Sequence, residues 1–216
     1  MLTKTASGEA AIVYLASKSP RRKALLEGLG YSVCVLADPA TPLGYIPGDE
    51  EMLGGELPAN YVERTACEKL LGGLAKKAAL PAAAAGPVLA ADTVVSFGGE
   101  VLGKPRDAEE AKAFLRRLSG SVHEVRTAVV ASDGQRQELL TSLSLVEFKP
   151  LSEEEISAYV ATGEPFDKAG GYGIQGLGGV FIRRIEGSYT GIMGLPVYET
   201  ALVLSRLGAP VPALAG

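Results

Sequence analysis

Residues 88–105 read VLAADTVVSFGGEVLGKP. The run from Val88 is apolar or β-branched on both sides of the pleat, the pattern of a strand covered on both faces. Gly98–Gly99 then makes a tight turn, and a return strand stops at Gly103-Lys104-Pro105. Asp92 interrupts the apolar run. An unpaired buried carboxylate is costly, so such a residue is hydrogen-bonded, ion-paired or bound to a metal. A hairpin folding at Gly98–Gly99 brings its strand ends together, so Asp92 and Lys104 are expected to open onto one cleft. The alternative is an Asp capping a neighbouring turn and a Lys in solvent.

Upstream, AIVYLA (11–16) reads as a short strand, followed by SKSPRR (17–22) and KALLEGLG (23–30). Ser19 suits an N-cap and Pro20 the first helical position. Leu25, Leu26 and Leu29 share one face, and glycines end the helix. Arg21 and Arg22 thus sit beside main-chain N–H groups at a helix N-terminus, an anion site of fixed geometry. A basic surface loop salt-bridged to a neighbour is the competing reading. YSVCVL (31–36) alternates as a second strand. Residues 37–55 are rich in Pro, Gly and acid, a long loop of the kind that carries function. Within it, Asp49-Glu50-Glu51 could turn a carboxylate to a metal or form a solvated turn. A helix is expected from about Ala59 to Lys77, with Tyr61, Ala66, Leu70 and Leu74 at helical spacing. AALPAAAAGP (78–87) reads as a linker.

Downstream, Asp107 and Glu110 open a helix in the manner of a capping box; its apolar face holds Ala111, Phe114, Leu115 and Leu118. Residues 122–132 and 137–148 read as strands joined at Asp133-Gly134. His123 is the single histidine, with a possible polar role at a strand mouth but no metal-ligand neighbours. Ser152 and Glu155 cap a further helix. In 163–194, GEPFDKAGGYGIQGLGGVFIRRIEGSYTGIMG, seven glycines fall between Gly163 and Gly179, allowing the backbone close to a ligand. The Gln175 amide can pair a donor and an acceptor with a planar ring edge. Val180 to Ile185 reads as a strand, and Pro196 starts a last helix ending near Gly208.

A length of 216 residues fits one domain, or one with two lobes, and 47% hydrophobic residues suffice for a large core. The net charge of −4 carries no basic excess, which speaks against a nucleic-acid polymer or an anionic membrane as partner. An acidic protein handling polyphosphate must gather its cations locally or recruit a metal. Neither a signal-like apolar core nor a membrane span is visible. Cys34 and Cys67 read as buried thiols of a reducing cytoplasm. There is no Walker A or dinucleotide fingerprint.

Cations at a helix N-terminus, facing acids and an amide in a glycine loop are the parts of a nucleoside triphosphate pocket. The acids require Mg²⁺ or Mn²⁺ between themselves and the phosphates. LASKSPRRKALL (15–26), DEEMLGGELPANYVERTACEKL (49–70), ADTVVSFGGEVLGKPRDAEEAKAFLRRLSGSVHEVRTAV (91–129) and FDKAGGYGIQGLGGVFIRRIEGSYTGIMGLPVYET (166–200) together resemble the Maf family of nucleoside triphosphate pyrophosphatases. The resemblance spans Ile12 to about Leu207.

It implies an α/β fold, a mixed twisted sheet flanked by helices with two lobes around a deep central cleft, similar to inosine triphosphatases, here as one domain over 1–216. It also implies hydrolysis at the α-phosphate to monophosphate and pyrophosphate. By the resemblance, Asp92 matches the catalytic base and, with Glu50, the metal-facing acids. Arg21, Thr93 and Gln175 match positions tied to substrate choice; Ser19, Arg22, Lys104 and Lys168 match phosphate-side motifs. The S-P-R-R and G-I-Q-G blocks resemble the dTTP/UTP-preferring subgroup. A homodimer follows from the resemblance alone. Alternatives are a pyrophosphatase for 7-methyl-GTP or non-canonical purine triphosphates, and a non-enzymatic nucleotide-binding regulator of cell division.

Overall fold

The computed structural model describes residues 11–36, 52–81 and 83–214. The strand expected from Val88 is β3 (Val88–Phe97), the hub of a seven-stranded mixed sheet. Its other strands are β1 (Ile12–Leu15), β2 (Ser32–Val35), β4 (Glu100–Leu102), β5 (Val122–Ser132), β6 (Gln137–Phe148) and β7 (Ile182–Glu186). The order is β2-β1-β3-β5-β6-β7, with β4 beside β3. β1 is parallel to β2 and β3; every other pair is antiparallel.

Along one edge β3 changes neighbour. Its start pairs with β1, Tyr14 with Val88 and Leu15 with Leu89. Its end pairs with β4, from Val95 with Leu102 to Phe97 with Glu100. Between them, Ala90–Val94 pair with β5 alone among the described strands. The sheet therefore splits beside Asp92, at the carboxyl end of β1. Clefts in open α/β sheets form where strand neighbours diverge in this way.

The helices are α1 (Pro20–Gly28), α2 (Pro58–Ala78), α3 (Ala108–Leu118), α4 (Glu153–Ala161), the short α5 (Tyr189–Ile192) and α6 (Val197–Arg206). The strand alternation sorts β3 between two cores. Leu89 and Ala91 pack with Leu15, Leu26 of α1 and Leu204 of α6. Val88 and Ala90 pack on the other face with Val62, Ala66 and Leu70 of α2. All four β3 residues are fully buried, as the two-sided apolar run requires. A third cluster joins Val95 and Val125 to α3, α4, Tyr172 and Phe181. Gly73 lets α2 lie close on the sheet: a Cβ there would fall 2.6 Å from the Ala16 Cβ and 2.9 Å from a Val88 methyl.

Several expectations shift. Cys34 and Cys67 are free thiols, but Cys34 is exposed, because β2 is an edge strand and only its other side meets the core. His123 stands at the start of β5 but is only 1% exposed, enclosed by the Phe148 and Tyr172 rings, and its polar contact is with the Tyr172 hydroxyl. β7 begins at Ile182, since Leu177–Phe181 coil into a 3₁₀ turn. Asp107 caps α3 by accepting from Glu110 N at 2.8 Å, yet the Glu110 carboxylate turns to Arg106 N at 2.7 Å rather than closing the box. Ser152 and Glu155 do form a full capping box on α4. The acidic loop 37–51 lies outside the described residues.

Candidate active site

A cleft of about 440 Å³ opens at the split in the sheet. Ser19, Arg21 and Arg22 line it from the start of α1, Asp92 and Thr93 from β3, and Glu164, Asp167, Lys168 and Gln175 from the glycine-rich segment. Val95, Val125, Tyr172, Ile192 and Met193 add apolar surface. The pocket is thus charged on one side and mixed on the other, the composition of a site for a polyanion bearing a flat organic group.

The charged wall is fixed by regular elements. Ser19 caps α1, its Oγ accepting from Arg22 N at 3.4 Å, with Pro20 in the first turn. The Arg22 guanidinium is spoken for on three sides: Nε donates to Gly194 O at 2.7 Å, one terminal nitrogen to Ser17 Oγ at 3.2 Å and the other to Thr93 Oγ1 at 3.4 Å. Burial lowers its pKa while Asp92 raises it. Thr93 Oγ1 also meets Thr127 Oγ1 at 2.8 Å, and Thr127 donates on to Gly191 O at 2.8 Å. Since Thr127 spends its proton on a carbonyl, Thr93 must donate to Thr127. Thr93 therefore presents only lone pairs to Arg22 and the cleft.

Asp92 is ion-paired, not orphaned. Lys69 Nζ lies 2.6 Å from Oδ1 and Thr65 Oγ1 2.5 Å from Oδ2. The side chain remains 15% exposed. Burial would raise the carboxyl pKa, but the Lys69 ammonium, Thr65 and Arg22 outweigh it and hold the group below the usual carboxylate range. Asp92 is thus ionised at neutral pH, with lone pairs left over to accept from a third partner.

The second wall is main chain gathered around Glu164. Its carboxylate accepts from Tyr159 OH at 2.9 Å, Leu177 N at 2.9 Å and Gly178 N at 3.1 Å. Burial pushes this carboxyl up, and the two amides and the phenol pull it down further than that. Lys168 Nζ donates to Glu164 O at 2.8 Å and to Asp167 Oδ1 at 2.5 Å. Gln175 sits in a turn closed by Gly176 N to Gly173 O at 3.2 Å. Behind it, Tyr172 OH pairs with His123 Nε2 at 2.7 Å.

Of the residues singled out from sequence, Ser19, Arg21, Arg22, Asp92, Thr93, Lys168 and Gln175 converge on the cleft. Lys104 does not line it: β4 ends at Leu102, Gly103 O accepts from Gly170 N at 3.0 Å, and the chain follows the glycine-rich segment instead of β3. Lys104 is exposed there. Glu50 lies outside the described residues. Sequence reading missed Thr65, Lys69 and Glu164. Thr65 and Lys69 are one helical turn apart beside the buried Val62, Ala66 and Leu70, and a polar i, i+4 pair on an otherwise apolar helix stripe was the available signal.

For a divalent cation the donor chemistry fits in one mode. Mg²⁺ and Mn²⁺ take carboxylate oxygens and complete their shell with substrate phosphate oxygens and water. Asp92 offers an ionised carboxylate to the cleft. Among the described residues no group of three or more His, Cys, Asp or Glu is placed to hold an ion; the acidic loop with Glu50 lies outside them.

Comparison with known proteins returns one family, the Maf-like proteins, whose model matches residues 12–207. The chain is 48% identical over 202 residues to the dTTP/UTP pyrophosphatase of Chromobacterium violaceum, covering 93% of this chain and 96% of that one. It is 48% identical over 202 residues to the protein of that name from Aromatoleum aromaticum, covering 92% and 97%. The Neisseria gonorrhoeae protein of the same name is 48% identical over 204 residues, covering 93% and 96%. Among solved structures, the Staphylococcus aureus Ham1 protein matches 63% of this chain and 71% of its own at 15% identity, with a TM-score of 0.42.

Proposed function

The chain belongs to the Maf family, and from that membership we propose that it is a nucleoside triphosphate pyrophosphatase acting on dTTP and UTP. The supporting observation is the meeting of Asp92 with Arg21 and Arg22 in one cleft where the sheet splits. In this reading Ser19, Arg21 and Lys168 engage the phosphates, and Arg22 adds positive charge while fastening Gly194 and Thr93. Screening the phosphate charge is what admits a nucleophile. Asp92 orients a water and takes its proton as the water oxygen bonds to the α-phosphorus. The bridging bond to the β-phosphate breaks, and pyrophosphate leaves. Lys69 and Thr65 keep Asp92 ionised and aimed.

Asp92 would hold the divalent cation, with Glu50 the second acid implied by family resemblance; when bound, the cation supplies charge neutralisation at the phosphates. The Gln175 amide reads the N3–H and O4 edge shared by uracil and thymine, with Thr93 adding an acceptor nearby. The chain works as one domain of two lobes. A cytoplasmic location, a homodimer and the lack of nucleic-acid or membrane partners belong to the same proposal. Among the described residues, no helix is long and apolar enough to cross a membrane.

The test is pyrophosphate release across common and modified triphosphates, with Mg²⁺ and Mn²⁺ compared. The expected result is fastest turnover of dTTP and UTP. Faster turnover of 7-methyl-GTP or inosine triphosphate would overturn the substrate reading. Nucleotide binding without metal-dependent pyrophosphate release would overturn the enzyme reading.

A further inference from the structure

The Glu164 carboxylate and main-chain carbonyl point to two different parts of the cleft. Oε2 accepts from Leu177 N and Oε1 from Gly178 N, on the chain leaving Gln175. Oε1 also accepts from Tyr159 OH, whose oxygen in turn accepts from Gly173 N at 3.3 Å, on the chain entering Gln175. The turn carrying Gln175 is therefore gripped at both ends by one carboxylate–phenol pair. The fit is close: a Cβ at Gly176 would lie 2.4 Å from both Glu164 carboxylate oxygens, and one at Gly178 would lie 2.7 Å from Tyr159 OH. Meanwhile Glu164 O accepts from Lys168 Nζ.

We propose that Glu164 is a positioning residue that sets the base-reading turn through its carboxylate and the phosphate-side Lys168 through its carbonyl, with Tyr159 as its partner. This rests on the reading of Gln175 given above. A carboxylate suits the role because it only accepts, and both amides and the phenol donate. A carboxamide at the same place has one acceptor oxygen, and its NH₂ would face an amide N–H. Glu164→Gln therefore breaks the grip on the turn while leaving the main-chain tether of Lys168 in place. Tyr159→Phe removes the hydroxyl alone.

The experiment compares UTP with CTP for wild type, E164Q, Y159F, the double variant and Q175A, alongside amide hydrogen exchange. E164Q is expected to lower the UTP-over-CTP ratio of kcat/KM roughly tenfold, the lower end of what a hydrogen bond to a charged group carries. The loss falls on KM more than on kcat, and exchange at Leu177 and Gly178 quickens. Y159F is expected to act in the same direction and to add little in the double variant. Wild-type exchange at Leu177 and Gly178 in E164Q overturns the proposal, as does quickened exchange with the UTP preference intact while Q175A loses it. An unchanged preference in Q175A overturns the base-reading role instead, and exchange then decides the grip alone. Should E164Q fail to fold, wild-type selectivity and wild-type exchange at Gly173 in Y159F would overturn it.

Discussion

The wall built from β1, β3, α1 and α2 sets its groups with ion pairs and hydroxyl chains between regular elements. Asp92 lies mid-strand, Lys69 and Thr65 mid-helix, and Gly73 closes the gap between them. The facing wall, 163–179, has no element longer than a 3₁₀ turn, and its shape depends on Glu164 and Tyr159. Regular elements hold a reacting group to a narrower geometry than a loop does. The first wall is thus suited to chemistry and the second to recognition. Substitutions around Asp92 on the first should change turnover, and those around Gln175 on the second should change selectivity or stability.

The sharpest way to break that division is Asp92→Asn. It keeps the shape and removes the base, so turnover of UTP is expected to fall roughly 10²- to 10⁴-fold with the circular dichroism spectrum unchanged. Retained turnover would remove Asp92 from the chemistry. Lys69→Met should act less strongly, about 10- to 100-fold, the size of effect seen when a supporting partner is lost. It carries a sign as well. Lys69 helps hold the Asp92 carboxyl down against burial, so without it the acid limb of the pH–rate profile moves to higher pH. An unmoved limb would deny the pairing a role in catalysis.

The smallest effect belongs behind the glycine-rich wall. Burial holds His123 at about 4, against an ordinary 6.5. Folded protein keeps the ring neutral where unfolded chain protonates it, so this contribution to stability is intact above about pH 6.5 and is lost as pH falls toward 4. Between pH 7 and 5 it amounts to about 2 kcal/mol. His123→Phe should flatten the difference in urea-unfolding stability between those pH values by that amount, while UTP turnover at neutral pH barely changes. An unchanged pH dependence would show that His123 does not titrate out of a neutral buried state.

How much of this was readable beforehand follows the range of the interactions. β3 was legible because an apolar run buried on both faces with one acid inside it is a local pattern. The α1 anion site was legible because Ser19, Pro20 and the two arginines are contiguous. Lys69 was not, because the stripe of Tyr61, Ala66 and Leu70 says where α2 packs and not what a polar neighbour will meet 23 residues along the chain. The place of Lys104 outside the cleft lining was not legible, because it follows from Gly103 pairing with Gly170 far along the chain. The burial of His123 was not legible because the rings enclosing it, Phe148 and Tyr172, come from other segments of the chain.

The division of the sheet beside Asp92 has a consequence for descent. The Asp92 carboxylate shares its strand with residues of both main cores, so mutations near it are screened first by whether the chain still folds. In the glycine-rich segment that burden falls on Tyr172 and the buried glycines that pack on the third cluster, and less on the exposed turn around Gln175. If the Gln175 turn reads the base, new nucleobase preferences should accumulate at that turn in lineages whose reaction stays the same, and divergence in diet should outrun divergence in chemistry.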